Sequence, residues 1–349
     1  MSNRPYRLLL ASSHRKPGFE TLSTAEYYQT WPYSLGAILY NLEQQGWETQ
    51  RVGLAGTLNP LSLARKIDEF RPDVVYTYGS LTALNPLIAR RLFCRHRAFR
   101  VVHGWDDIYG EIWHHAYGRL PGWCMDGIER MIVTRSDAVV TLSRFQQQVA
   151  RKWGVECHYI PNGADVPKFN PAACSIRLDG RLKLVYTGEA GRYKRTWEIC
   201  EAMRHVPKDI RLYLTGERCA YLDPYASENC TFLGYLSKND QFSVMAQADV
   251  LVVTADQDCN AKLQEYLRFN KAVLGYDGRA NLFFTNGRNA LLTRDYPSAI
   301  RKLADDPVFR QQLADNASRD LPVNTWAEIA GQFDEFFRKL LLSRDGTGH

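Results

Sequence analysis

A glycine turn followed by basic residues, in the second half of the chain, has the composition of an anion-binding segment. An apolar run ends at Gly188 and is followed by Arg192, Lys194 and Arg195. A glycine turn before a helix can aim backbone N–H groups at a phosphate, and basic side chains add charge and bidentate hydrogen bonds. The segment is neither a P-loop nor a G-x-G-x-x-G fingerprint. It predicts a diphosphate site, with an ordinary solvent-facing turn as the alternative.

A second segment places an amine and a carboxylate at a predicted helix start. Asn260 is a candidate N-cap, and Lys262 and Glu265 follow it in a helix predicted over 261–269. A carboxylate that accepts two hydrogen bonds suits the vicinal hydroxyls of a ribose. Glu265 could equally be an acid that stabilises the helix dipole. Together the two segments predict a nucleotide site.

A histidine in the first half of the chain stands at the end of an apolar strand. His103 closes the predicted strand 100–103 and precedes Gly104 and the adjacent acids Asp106 and Asp107. Residues beyond the carboxyl ends of parallel strands line ligand-binding crevices, so His103 is a candidate for chemistry; a buried histidine bonded to backbone is the alternative. Adjacent acids point apart and are a poor metal pair. The sequence therefore predicts no metal site.

Strands and helices alternate almost throughout the chain, and this alternation would position the residues above. In the first half, strands are predicted at 6–12, 47–52, 73–78, 100–103 and 137–142. In the second half, they are predicted at 182–187, 210–215, 230–233, 249–254 and 271–276. Near-continuous apolar strands separated by helices indicate a parallel sheet covered on both faces. We therefore predict an α/β protein with two doubly wound domains.

A segment rich in Pro, Gly and Asn, residues 158–171, predicts a linker between the two domains. The domains are expected over 1–165 and 182–325. An amphipathic helix within 326–349 is expected to pack back on the N-terminal domain. The 349 residues, 45% of them hydrophobic and 23% charged, suffice for two soluble domains with separate cores.

Hydrophobic runs and cysteine spacing indicate the cellular compartment of the protein. No run approaches the roughly 18 apolar residues of a transmembrane helix, and the first residues lack a signal-peptide core. The eight cysteines include no C-x-x-C pair, which argues for reduced thiols rather than disulfides or a zinc site. We therefore expect a cytoplasmic protein.

One basic stretch predicts contact with an anionic surface. Residues 90–100 hold five arginines interleaved with Leu92, Phe93 and Phe99. Such a composition suits lipid headgroups or nucleic acid; a solvated helix end is the alternative. Aromatic residues further on favour the membrane, so we expect peripheral association with its inner face and no nucleic-acid partner. These aromatic residues are Trp113, Tyr117 and Trp123.

Five motifs in sequence order resemble the retaining glycosyltransferases of family 4, and the similarity spans roughly residues 100–330. The motifs are "DAVVTLS…VARKWGV…YIPNGADVPKFNP" (137–171), "LVYTGEAGRYKRTWEICEAM" (184–203), "FLGYLSKNDQFSVMAQADVLVV" (232–253), "KLQEYLRFNKAVL" (262–274) and "NGRNALL" (286–292). The resemblance implies the GT-B fold, in which two Rossmann-like domains face each other across an interdomain cleft. The N-terminal domain would bind the acceptor and the C-terminal domain the nucleotide sugar.

The resemblance also implies a reaction. A UDP- or GDP-linked sugar would be transferred, as in a hexosyltransferase, to an acceptor hydroxyl with its anomeric configuration retained. The expected partners are the nucleotide sugar and a glycan or lipid-linked acceptor, in cell-surface polysaccharide or lipopolysaccharide synthesis. Basic residues would stabilise the leaving diphosphate electrostatically, so neither a metal nor another cofactor is expected.

Residue roles follow from the same resemblance. Arg192 and Lys194 would stabilise the departing diphosphate, and His103 would contact the donor sugar or the acceptor. Glu265 would hold the donor ribose, with Gly234 and Tyr235 near the base. The full predicted donor set is Gly188, Arg195, Gly234, Tyr235, Asp258, Asn260, Lys262 and Glu265. The predicted acceptor set is His14, Lys16 and Asp106.

The chain departs from the family pattern at two positions. Glu189 stands where the family has Arg or Lys after the glycine, and Arg192 is expected to substitute. Gln257, flanked by Asp256 and Asp258, stands where the family has an acid eight residues before the ribose glutamate. Two alternatives remain: a sugar-nucleotide epimerase of the same fold, which would need paired acids, and a catalytically silent protein that binds nucleotide sugars or glycans.

Overall fold

The computed structural model describes residues 4–13, 19–30, 34–165, 169–259 and 261–343, except the side chains of Thr30, Ser80 and Leu81. The chain divides into two compact units. The first comprises residues 1–163 and 324–349, and the second residues 164–323. Each unit contains a six-stranded parallel sheet with helices packed against it.

In the first unit the strands lie in the order β2-β1-β3-β4-β5-β6. Their bounds are β1 (Arg7–Ser12), β2 (Glu48–Val52), β3 (Val74–Tyr78), β4 (Arg100–Trp105), β5 (Ala138–Thr141) and β6 (His158–Tyr159). The helices are α1 (Thr24–Thr30), α2 (Ser34–Gln44), α3 (Leu54–Thr57), α4 (Pro60–Phe70), α5 (Ser80–Leu92), α6 (Tyr109–Tyr117), α7 (Arg119–Arg135), α8 (Arg144–Lys152) and, from the far end of the chain, α14 (Trp326–Leu342).

The terminal helix α14 completes the core of the first unit. It begins with a capping box in which Thr325 and Glu328 satisfy each other's backbone N–H groups. Phe333 and Phe337 then pack edge-on against the ring of Tyr76 on β3. The apolar face of α14 therefore covers one face of the first sheet.

In the second unit the strands lie in the order β12-β11-β10-β7-β8-β9. Their bounds are β7 (Leu182–Tyr186), β8 (Ile210–Thr215), β9 (Cys230–Gly234), β10 (Val250–Val253), β11 (Ala272–Tyr276) and β12 (Leu291–Thr293). The helices are α9 (Thr196–Ala202), α10 (Lys238–Gln247), α11 (Ala261–Leu267), α12 (Tyr296–Asp305) and α13 (Pro307–Asp320).

Alternate residues of the second sheet enter two separate apolar clusters. Leu184 and Val252 pack in one cluster with α9 and α12. Val185 and Leu251 pack in the other with α10 and α11. This alternation follows from the period of two along a strand and leaves both faces of the sheet covered.

The predicted α/β class with two doubly wound parallel sheets is confirmed. Helix α9 begins at Thr196, after a 3₁₀ turn at Arg192–Lys194. Arg195 separates the two because its backbone is left-handed, with φ of +56°. The helical pair α6 and α7 was not predicted. Among the described residues, none of the helices combines the length and apolar character needed to span a bilayer.

Candidate functional site

Two glycines shape the carboxyl edge of the second sheet. Gly188 follows β7 with φ of +95°, and Gly216 follows β8 with φ of +104°. A Cβ on Gly216 would lie 2.5 Å from the carbonyl oxygen of Gly188, and a Cβ on Gly188 would lie 2.8 Å from Nζ of Lys262. Only glycine allows this approach, so the two loops and the lysine meet at backbone distance.

The amine of Lys262 is buried beside this glycine turn. Its Nζ lies 4.3 Å from the centroid of the Tyr186 ring. Burial, and secondly the charge of Lys194, lower the pKa of the amine to about 7, although Glu265 and Glu189 act in the opposite direction. Because the amine is poised between its two protonation states, an anion placed here would favour the charged form.

The carboxylate of Glu265 lies on the same helix, α11, and is partly buried. Its Oε1 lies 3.5 Å from Nζ of Lys238, the first residue of α10. Lys238 was not predicted, although its place just after β9 at the same sheet edge was a usable signal. Gly234 ends that strand with φ of +71°, and the exposed ring of Tyr235 lies between the strand and Lys238.

The basic turn Arg192–Lys194 is anchored to the same edge. The hydroxyl of Thr254, directly after β10, donates to the carbonyl oxygen of Lys194 at 2.5 Å. The guanidinium carbon of Arg192 lies 4.8 Å from the centroid of the Tyr221 ring. The structure therefore brings the predicted residues Gly188, Lys194 and Lys262 together.

Arg195 is held by a different set of contacts. Its guanidinium lies 4.0 Å from the centroid of the Tyr276 ring and forms an ion pair with Glu198. The left-handed backbone at Arg195 precedes α9 and turns the side chain toward that helix. The prediction that Arg195 binds the donor gains no support from these contacts.

The acids that flank Gln257 are both used within the fold. Oδ1 of Asp256 accepts a hydrogen bond from the backbone N–H of Arg279 at 2.6 Å and joins the loops after β10 and β11. Asp258 is buried. Asn260, like His14 and Lys16, lies outside the described residues.

In the first unit, His103 lies inside the sheet. It stands opposite Thr77 in the pairing of β3 with β4, and its Nδ1 lies 3.0 Å from Oγ1 of that threonine. Burial lowers the pKa of His103 to about 3, so the imidazole is neutral at physiological pH. His103 can therefore exchange hydrogen bonds but is a poor proton acceptor.

Asp106, just beyond β4, shows the opposite shift. Burial, and secondly the charge of Asp107, raise the pKa of its carboxyl to about 7. The hydroxyl of Tyr109 donates to Oδ2 of Asp106 at 3.2 Å. A carboxyl that titrates near neutrality can either accept or donate a hydrogen bond, which suits recognition of a hydroxyl group.

A buried glutamate that sequence reasoning missed holds this loop in place. Glu129 on α7 accepts hydrogen bonds from Nε1 of Trp105 at 3.0 Å and from the backbone N–H groups of Tyr109 and Gly110, both at 2.8 Å. It shares the buried face of α7 with Met125. An acid at an apolar helical position was the available signal.

The described part of the chain contains no group of three or more His, Cys, Asp or Glu side chains that could hold a metal ion. At the carboxyl edge of the second sheet, the cations come instead from lysine and arginine. That edge offers backbone N–H groups, Lys194, Lys262 and one carboxylate, a combination that can bind an anion joined to a polyol.

Comparison with known proteins finds a family similarity in the first unit. Residues 16–163 match the family model described as Glycosyl transferase 4-like domain. No curated protein sequence matches the chain significantly. The family match covers most of the first unit, which contains His103 and Asp106.

Solved structures resemble the whole chain. Sucrose-phosphate synthase from Thermosynechococcus elongatus has a TM-score of 0.77 at 16% identity, covering 97% of this chain and 100% of that one. Anabaena HepE, in complex with UDP and glucose, has 0.70 at 17%, covering 96% and 100%. A candidate UDP-N-acetylglucosamine 2-epimerase from Listeria monocytogenes has 0.57 at 10%, covering 94% and 95%. The chain therefore has the GT-B fold, and its first unit is similar to the glycosyl transferase 4-like domain.

Proposed function

We propose that this protein is a retaining, metal-independent glycosyltransferase that moves a sugar from a nucleotide diphosphate sugar to an acceptor hydroxyl. The observation that carries the proposal is the second sheet edge, where the Gly188 turn contacts the buried amine of Lys262 and the carboxylate of Glu265 follows on the same helix. A diphosphate bound without a metal needs protein cations, and this edge supplies them.

The donor is assigned to the second unit. The Gly188 turn, Lys194 and Lys262 bind the diphosphate, and Arg192 approaches it from the 3₁₀ turn. Glu265 exchanges its contact with Lys238 for the ribose hydroxyls. The exposed ring of Tyr235 offers a surface on which the base can stack. Because HepE was solved with UDP and glucose, UDP-glucose is the first donor to test.

Transfer breaks the bond between the anomeric carbon and the leaving phosphate oxygen and forms a bond to the acceptor oxygen on the same face. The acceptor proton passes to the leaving phosphate oxygen. Charge therefore develops on the diphosphate, where Lys194 and protonated Lys262 stabilise it. In the first unit, Asp106 orients the acceptor hydroxyl, and the neutral imidazole of His103 contacts the donor sugar or the acceptor.

The acceptor is proposed to be a cell-surface or lipid-linked saccharide reached at an anionic membrane. The corner between α6 and α7 exposes Tyr117 by 67%, Leu120 by 69% and Trp123 by 61%. Aromatic and aliphatic side chains of this kind partition into the interface of a bilayer. Exposed Arg119 lies between them and can contact lipid phosphates.

The basic stretch 90–100 contributes less free charge than its sequence indicates. Arg90 forms an ion pair with Asp137, and Arg97 forms one with Asp68 at 2.9 Å. Arg91 and Arg95 are exposed. The membrane proposal therefore depends more on the corner between α6 and α7 than on this stretch.

A panel of UDP- and GDP-sugars tests the proposed reaction. Donors are first ranked by thermal shift, because a ligand at 100 times its dissociation constant adds about 2.7 kcal/mol to stability. Transfer to saccharide acceptors is then followed by NMR, which also reports the anomeric configuration of the product. Inversion would contradict the retaining mechanism. Epimerised donor without acceptor would identify an epimerase, and donor binding without turnover would identify a binding protein.

Glu265→Gln tests the ribose assignment. We expect donor binding to weaken by about tenfold or more, since a hydrogen bond to a charged group contributes roughly 1.5–3 kcal/mol. Glu228→Gln, an exposed glutamate of the same unit, is the matched control and should bind the donor normally. Unchanged affinity in Glu265→Gln would exclude this role.

Co-sedimentation with anionic vesicles tests the membrane proposal. The double variant Leu120→Ala/Trp123→Ala should lose most of its vesicle binding. Val308→Ala, which removes an exposed apolar side chain from α13 in the second unit, should retain it. Equal sedimentation of both variants would contradict the proposal.

A further inference from the structure

A cavity lies within the second unit, between α9 and α12, with a volume of about 450 Å³. Its walls include the aromatic rings of Trp197, Tyr276 and Tyr296. Of the residues predicted to bind the donor, Arg195 is the one that lines it. The volume is in the range of small-molecule sites, and planar rings favour a ligand with a flat apolar part.

Tyr296 lines this cavity and carries a buried hydroxyl group. The residue is only 2% exposed, and its hydroxyl makes no hydrogen bond to any described residue. A buried hydroxyl without a partner costs free energy, so an occupant that accepts its proton would be stabilised. Burial raises the pKa of this phenol, which keeps the group a donor at physiological pH.

Two arginines add further donors. The guanidinium carbons of Arg195 and Arg294 lie 4.0 Å and 5.5 Å from the centroid of the Tyr276 ring. Nε of Arg195 is buried and bonds to no described residue. Arg294 donates to the carbonyl oxygen of Asp277 at 3.2 Å and forms no ion pair within the described part of the chain.

The carboxylates that line the cavity are already neutralised. Glu198 forms an ion pair with Arg195, and Glu201 forms one with Arg204 at 3.0 Å. The positive charge of Arg294 is therefore not balanced by a carboxylate among the residues that line the cavity. Unpartnered buried donors and one cation without an ion pair among the described residues therefore lie beside aromatic walls. This combination favours an occupant with hydrogen-bond acceptors and negative charge.

We propose that this cavity is a second ligand site, which binds a small anion consisting of an aromatic ring that carries a carboxylate or phosphate. The ring packs among Trp197, Tyr276 and Tyr296. The anionic group accepts hydrogen bonds from the Tyr296 hydroxyl and the Arg294 guanidinium. This inference does not depend on the proposed glycosyl transfer, because its residues are not those assigned to the reaction.

Calorimetric titration of the full chain with four probes tests the ligand class. Indole-3-acetate and AMP each join a flat ring to an anion, one a carboxylate and the other a phosphate. Inorganic phosphate and indole-3-ethanol each supply one feature alone. We expect at least one joined probe to bind with a dissociation constant below about 1 mM, and at least tenfold more tightly than either single-feature probe. No binding by either joined probe, or equal binding by a single-feature probe, would overturn the proposal.

Two substitutions assign the site. Tyr296→Phe removes the hydroxyl and keeps the ring, so the free protein should be at least as heat-stable as before, while probe affinity falls about fivefold or more. Arg294→Ala should reduce affinity by a similar factor, and Arg319→Ala, an exposed arginine on α13, should not. Probe binding that survives both Tyr296→Phe and Arg294→Ala would be binding elsewhere, and the assignment would be wrong.

Discussion

Lys262 and Asp106 lie at the carboxyl edges of the two sheets, and burial brings both to a pKa of about 7 from opposite sides. The pKa of the Lys262 amine is lowered from 10.5, and the pKa of the Asp106 carboxyl is raised from 3.8. Each group therefore changes its charge state near neutral pH. In the proposed reaction, the lysine is a cation beside the diphosphate, and the aspartate exchanges a proton or hydrogen bond with the acceptor hydroxyl.

The carboxyl edges of the two sheets are also built from different kinds of contact. The second edge depends on glycines, whose missing side chains let the loops after β7 and β8 touch. The first edge depends on one carboxylate, Glu129, which satisfies three donors of the loop that carries Asp106. The same α/β topology thus positions a close contact between glycine loops in one unit and a side-chain network in the other.

Removing the Glu129 carboxylate, which accepts three hydrogen bonds at the carboxyl edge of the first sheet, should have the largest effect on stability. Glu129→Ala leaves three donors without their acceptor, so we expect a loss of about 3–5 kcal/mol in the free energy of unfolding. Urea denaturation followed by tryptophan fluorescence measures it. Glu69→Ala, on the exposed side of α4, should change stability by less than about 0.5 kcal/mol. A loss below about 1 kcal/mol for Glu129→Ala would show that the network is dispensable.

Adding a side chain at the close glycine contact of the second sheet should have the next largest effect on stability. Gly216→Ala combines a left-handed backbone with a clash against the Gly188 carbonyl, and should cost about 2–4 kcal/mol and weaken donor binding. Gly287→Ala has φ of +73° and meets no atom within 4 Å, so it should cost only about 1–2 kcal/mol. Equal stability losses in the two variants would mean that the close loop contact contributes nothing.

The Lys262 amine should make donor binding depend on pH. A bound diphosphate favours the protonated amine, so donor affinity should fall as pH rises through about 7, by up to tenfold per unit. Lys262→Met should bind about 10–100-fold more weakly near pH 6 and lose this dependence. Calorimetry with the intact donor, whose diphosphate does not titrate in this range, measures both effects. Lys208→Met, an exposed lysine of the same unit, should retain the wild-type profile.

A further expected effect is on stability as a function of pH. Asp106 binds a proton more tightly when folded than when unfolded, so its contribution to stability is lost as pH rises from about 4 to 7. Lys262 binds its proton less tightly when folded, so stability rises from pH 7 to 10. Asp106→Asn should therefore stabilise the protein by roughly 1–3 kcal/mol at pH 8 and have little effect at pH 4. Thermal unfolding at both pH values measures the difference, and equal shifts would exclude a raised carboxyl pKa.

Much of the arrangement could be predicted from local patterns. The alternation of apolar strands with helices indicated two parallel sheets, because strand and helix periodicities are properties of short segments. Gly188, Lys262 and Glu265 could be selected because carboxyl-end loops and helix starts are recognisable in sequence. Glu129 and Lys238 were missed, since a hydrogen-bond network and an ion pair between distant segments leave little trace in either segment alone.

What the sequence determined by itself is the order of strands and helices, the glycine turns and the residue types at each sheet edge. What only the tertiary structure decided is which charges are paired, which are buried and which groups share a cavity. Arg195 illustrates this division. Its residue type predicted a phosphate contact, but in the folded structure its backbone is left-handed and its guanidinium contacts Tyr276 and Glu198. The pKa values of His103, Asp106 and Lys262 depend on burial and neighbouring charge, which arise only when distant segments pack together.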